Sequence, residues 1–122
     1  MSKKRNIRIY LEDLLEASEK IRVYTKDMGF EEFARDEKTK DAVLRNLEVI
    51  GEAVKNIPDG LKQAHTEVNW RAVAGMRNKL IHEYFGVSPQ IVWETAKGDI
   101  PALGLQIRRI LERLEKEKTE QV

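Results

Sequence analysis

Apolar residues recur along this chain at intervals of three and four, and no stretch alternates apolar and polar residues for long enough to read as a strand. The pattern predicts an all-α protein. Ile7, Tyr10, Leu11, Leu14, Ala17, Ile21, Tyr24 and Met28 form one stripe on a helix spanning about residues 5 to 28, which Gly29 should end. A short turn carrying Phe30 and Phe33 follows. Asp36 can cap a second helix, about 37 to 56, whose stripe is Val43, Leu47, Ile50, Val54 and Ile57; Pro58 and Gly60 break it. Residues 59 to 68 read as a loop or one short turn of helix. Asn69 can cap a third helix, about 70 to 84, with Gly86 as its stop. Ser88 and Pro89 open a fourth, "SPQIVW", with proline at the first helical position, where its missing N–H costs nothing. "KGDIP" interrupts it, and a last helix, about 100 to 117, offers Leu103, Ile107, Ile110 and Leu114 to the core. The expected architecture is an up-and-down helical bundle of about four long helices plus short helical segments, with short connections favouring antiparallel neighbours.

A length of 122 residues sets the expectation of a single domain over 1–122, large enough to bury a core without staples. With no cysteine, the chain can form neither disulfides nor thiolate metal sites or nucleophiles, which is compatible with a reducing cytoplasm. The N-terminal segment has a basic start but no unbroken apolar core, and no run approaches a bilayer span, so a soluble, untargeted protein is expected. Charge is dense but balanced, 22 Lys and Arg against 21 Asp and Glu, so no global field draws nucleic acid to the surface. Local basic patches remain at Lys3, Lys4, Arg5 and Arg8, and at Arg108, Arg109 and Arg113. Each also reads as an ordinary solvated helix surface.

The third helix carries polar residues that packing does not explain. On a helical wheel Trp70, Val73, Ala74, Leu80, Ile81 and Tyr84 all fall within about 60° of Arg77, so an arginine stands at the centre of the apolar stripe. A guanidinium cannot be neutralised, and one buried alone is costly, so Arg77 must meet a carboxylate, an interface cleft or an anionic ligand. Glu48 and Glu52, themselves one turn apart, could supply a structural ion pair. His82 lies about 140° around from Arg77, whereas Asn78 and His82 are about 40° apart. Bringing Arg77 to His82 requires the arginine to wrap across, the last turn to loosen, or a second copy of the helix to face the first. The third option predicts a dimer.

Histidine titrating near neutrality and arginine binding a phosphate suit metal-free attack at phosphorus, for which RNA brings its own 2′-hydroxyl nucleophile. No serine sits in a nucleophile elbow, and no glycine-rich phosphate loop is present. Asp13 with Glu16, and Glu48 with Glu52, lack a companion histidine at metal-site spacing and read as surface; His65, in a loop near Glu67, is expected to be exposed. A purely structural reading also stands, in which Arg77 is ion-paired, His82 complements the helix dipole and Tyr84 buries its ring.

"RNKLIHEY" fits an Arg-x4-His-x-Tyr signature, and with "NLEVIGEAVKNIP", "VNWRAVAGMRNKLIHEYFGV" and "IVWETAKGDIPAL" the sequence resembles the HepT-like branch of the HEPN superfamily over nearly its whole length. The resemblance implies a metal-independent endoribonuclease toxin of a toxin–antitoxin module, working as a homodimer with the two signature helices lining one cleft. It implies His82 as general acid and base, Arg77 as the holder of the scissile phosphate, and Asn78 as an orienting or binding residue. Tyr84 would be the site adenylylated by a minimal nucleotidyltransferase antitoxin, which uses ATP; the chain itself would need no cofactor. The alternative is a non-catalytic nucleotide-binding or substrate-presenting partner of that nucleotidyltransferase.

Overall fold

The computed structural model describes residues 3–82 and 88–120, with side chains described for 7–76 and 88–117. Seven α-helices follow one another: α1 (Lys3–Thr25), α2 (Phe30–Arg35), α3 (Glu37–Lys55), α4 (Asp59–Ala64), α5 (Trp70–His82), α6 (Pro89–Glu94) and α7 (Ile100–Glu120), with a π turn at Thr95–Asp99 joining the last two. Among the described residues there is no strand. Helices α1, α3, α5 and α7 are the long ones, and the all-α bundle expected from periodicity is what forms.

Local chemistry sets the starts. Asp36 accepts from the Thr39 backbone N–H at 3.0 Å and its hydroxyl at 2.8 Å, capping α3. These bonds, the backbone one foremost, hold the Asp36 carboxyl below the ordinary aspartate range. Asn69 Oδ1 accepts from the Ala72 N–H at 3.1 Å to cap α5, and Ser88 Oγ from the Gln90 N–H at 3.2 Å to cap α6.

Two expected boundaries move. Helix α1 stops at Thr25 rather than near Met28, because Asp27 takes a left-handed backbone (φ 66°), which a short polar side chain tolerates; Gly29, extended at φ −97°, instead precedes the first turn of α2. Tyr24, assigned to the buried stripe, is 40% exposed in the last turn of α1. "KGDIP" does not break the chain either. Proline at position 101 would press its ring on the carbonyl four residues back, Lys97, and that carbonyl lies in the π turn, where the ladder is already widened. The segment at 59 to 68, expected to be a loop or one short turn of helix, begins with the short helix α4.

Helix α1 packs on both α3 and α7, and α5 packs on the far side of α3, so the bundle runs α5–α3–α1–α7. Its core is the stripe each helix presents: Leu11, Leu14 and Ile21 of α1, Val43, Leu47, Ile50 and Val54 of α3, and Ile107 and Ile110 of α7 are all essentially without solvent contact. Close approach of α1 to α7 depends on Gly104, where a Cβ would stand 3.0 Å from Ser18 Oγ. Arg8 reaches across the same pair to Glu115 at 2.7 Å. Helices α5 and α7 would close the ring but make little direct backbone contact, leaving a groove between them.

Candidate functional site

Helix α5 is seated at its first residue. Trp70 is buried, and its indole Nε1 donates to the His65 carbonyl at 2.9 Å across the preceding loop. A buried indole N–H needs such an acceptor. Trp70→Phe keeps most of the ring but removes the donor, and is expected to lower stability by about 1–3 kcal/mol in urea denaturation. A loss below about 0.5 kcal/mol would show that this bond contributes little.

The same loop corrects one expectation. His65 is not exposed: it is only 6% accessible, its Nδ1 has no hydrogen-bond partner, and the nearest charge is Glu67 Oε2 at 3.6 Å. The signal was Trp70 five residues on, whose need for an acceptor draws the loop inward, but a spacing between loop and helix has no period to betray it.

From Trp70 the helix continues through Val73, Ala74 and Met76, all half-buried against the core, to His82. It therefore carries Arg77, Asn78 and His82 on one unbroken α-helix. The side chains of these three residues are outside the described set, and Tyr84, like the expected stop Gly86, lies outside the described residues. The helical backbone still decides one point. Arg77 and His82 are five residues apart, so about 7.5 Å along the axis and about 140° around it, and the last turn has not loosened between them. Of the three routes to convergence, a wrapping arginine and a facing second copy remain. Glu48, one of the carboxylates considered for Arg77, bonds Arg45 at 3.3 Å.

Beside α5 the open groove deepens into a cavity of about 330 Å³. Val73 and Met76 of α5 and Ile100 and Leu103 of α7 give it apolar walls, and Met76 directly precedes Arg77 in the helix. Sequence reasoning did not find this cavity, because it depends on how far α5 stands from α7. Among the described residues no group of histidines and carboxylates is placed to hold a metal ion.

Comparison with known proteins bears directly on what this arrangement is for. The family model described as Ribonuclease HepT-like matches residues 14–110, from α1 into α7, a span that includes the signature segment 77–84. The chain belongs to the HepT-like ribonuclease family. It is 53% identical over 100 residues to a probable ribonuclease HepT of Thermococcus cleftensis, covering 82% of this chain and 91% of that one. It is 46% identical over 106 residues to a candidate RNase of Caldanaerobacter subterraneus, covering 87% and 95%, and 46% identical over 112 residues to one of Methanocaldococcus jannaschii, covering 92% and 97%. No solved structure gives a significant match.

For a HepT-like ribonuclease the surface charges matter, since RNA is a polyanion. Arg8 is compensated by Glu12 at 3.0 Å as well as Glu115, and Arg108 lies 3.6 Å from Glu19. The hydrogen bond from Arg22, with Arg108 beside it, holds the Glu19 carboxyl below the ordinary glutamate range. All four arginines, Arg8, Arg108, Arg109 and Arg113, are exposed, and Arg8 and Arg108 belong to paired helix surfaces. No described helix is long and apolar enough to cross a membrane.

Proposed function

We propose that this chain is a metal-independent endoribonuclease toxin that works as a homodimer and is silenced by a nucleotidyltransferase partner through adenylylation of Tyr84. The observation that carries the reading is the unbroken α5, which in a chain of the HepT-like family bears Arg77 and His82 at fixed helical spacing. One helix separates these residues around its axis, so a second copy facing it is the economical way to present both to one phosphate.

The chemistry needs nothing the chain lacks. An imidazole at His82 removes the proton from the RNA 2′-hydroxyl as its oxygen attacks phosphorus; the bond to the 5′-oxygen breaks, and that oxygen takes a proton from the facing copy's imidazolium. The products are a 2′,3′-cyclic phosphate and a 5′-hydroxyl. Arg77 stabilises the charge that builds on the non-bridging oxygens, and its planar fork suits that task better than lysine. Asn78, one turn from His82, orients the imidazole or the substrate. AMP on Tyr84 would put a phosphate beside the guanidinium that RNA requires, and so block the cleft by charge and bulk.

The test is expression in bacteria with and without the cognate nucleotidyltransferase, following growth and total RNA. Wild-type chain alone is expected to arrest growth and fragment RNA, and co-expression to relieve both. Purified chain, supplied with that partner and ATP, should gain the mass of one or more AMP units, and Tyr84→Phe should gain none. Modification undiminished in Tyr84→Phe would remove the tyrosine from the scheme, and a monomer in sedimentation at micromolar concentration would remove the shared cleft.

A further inference from the structure

We propose that the cavity between α5 and α7 is a base-binding subsite that receives a guanine adjoining the scissile phosphate of the RNA. The choice of RNA as the source of that base rests on the ribonuclease reading; the choice of base rests on the cavity. Its apolar walls suit the face of a planar ring. Among the described residues no aromatic side chain lines it, and discrimination there falls to the polar rim.

The rim has a definite donor and acceptor inventory. Asn69 commits its Oδ1 to capping α5, which leaves its amide N–H groups to donate. Gln106 commits its Nε2 to the Glu67 carbonyl at 2.9 Å, which leaves its Oε1 to accept. The carboxylates of Glu67 and Asp99, when ionised, only accept. Among the described side chains of the rim, acceptors therefore outnumber donors three groups to one.

Guanine matches this pattern. Its N1–H and N2 amino group donate side by side, and its O6 accepts. Uracil offers one N–H between two carbonyls, which would face the carboxylates. Adenine and cytosine have an amino group, but a bare ring nitrogen sits beside it on the same edge. The carboxylates also repel phosphate, so the base enters while its backbone stays outside. Met76 in the wall and Arg77 are consecutive residues of one helix, which places base recognition and phosphate recognition on adjacent positions of a rigid element.

The test titrates the full chain with guanosine 3′-monophosphate and, separately, uridine 3′-monophosphate, following the Met76 methyl and Gln106 side-chain amide signals by NMR. The guanine nucleotide is expected to shift both at concentrations on the order of tenfold lower than the uracil nucleotide. Glu67→Gln combined with Asp99→Asn, both exposed positions, is expected to erase that difference. Ala102→Trp, also exposed and lining the cavity, should abolish both sets of shifts, and serves if the double variant fails to fold. In digests of random-sequence RNA, guanine should be enriched at one position next to the cut, and the double variant should flatten that enrichment. Equal shifts with both nucleotides, or none with either, overturn the proposal even where RNA is cut. Selective guanine binding by a chain that leaves RNA intact overturns the ribonuclease reading and leaves the guanine site standing.

Discussion

His82→Ala is expected to abolish RNA cleavage while leaving helical content and melting temperature nearly unchanged. Removing a general acid–base group costs roughly 10²–10⁴ in rate, and in the proposed homodimer the same substitution would remove it from both copies. The structural cost is small by comparison. His82 belongs to α5 and alanine is the strongest helix former, so the substitution carries no cost in helix propensity. Cleavage read on gels of total RNA, alongside a circular-dichroism melt, separates the two roles. Activity retained in the variant would exclude His82 from catalysis, and a chain that unfolds would assign it to the scaffold. Arg77→Lys sharpens the point, because it keeps the charge but loses the fork, so a large fall in cleavage with that variant argues for two-point contact with phosphate rather than simple attraction.

The second large effect is on stability. Leu47 has no solvent contact and sits in the middle of α3, the helix that packs on α1 along one side and α5 along the other. Leu47→Ala removes apolar volume from the centre of the bundle, and neighbours held by three helices cannot collapse fully into the space. The expected loss is about 2–5 kcal/mol, read as a fall in melting temperature on the order of 10 °C. Ile57, 3% exposed at the end of the same stripe, has more freedom to resettle and should cost less when cut back to valine, about 0.5–1.5 kcal/mol.

Position along the chain explains what could be read without coordinates. The α3 stripe was legible because five residues at strict helical spacing have one way to be buried together, and all five are. The caps at Asp36, Asn69 and Ser88 were legible because each bond spans two or three residues. Tyr24 was misjudged because the inward position in the last turn of α1 is taken by Thr25, buried with its hydroxyl on the Ile21 carbonyl. His65 and the α5–α7 cavity were invisible for a different reason. They depend on contacts across the fold, such as Gln106 holding the Glu67 carbonyl 39 positions away, and no local pattern encodes them. Arg77 lies between these cases: its place on an apolar stripe marked it as unusual, but its chemistry needed the family to interpret it.

The pairing of the first long helix with the last has a consequence for how the chain comes to be active. Ile100, Leu103, Ile107 and Ile110 complete the core against α1, and Arg8 finds its partner Glu115 only 107 positions further along the chain. A ribosome adds residues one at a time, N-terminus first. Until α7 is synthesised, Leu11, Leu14 and Ile21 have only α3 to cover them, and the signature helix, although already translated, stands on an unfinished scaffold. An enzyme that attacks RNA would thus reach working form only after α7 has been made, although the helix bearing its signature is translated earlier.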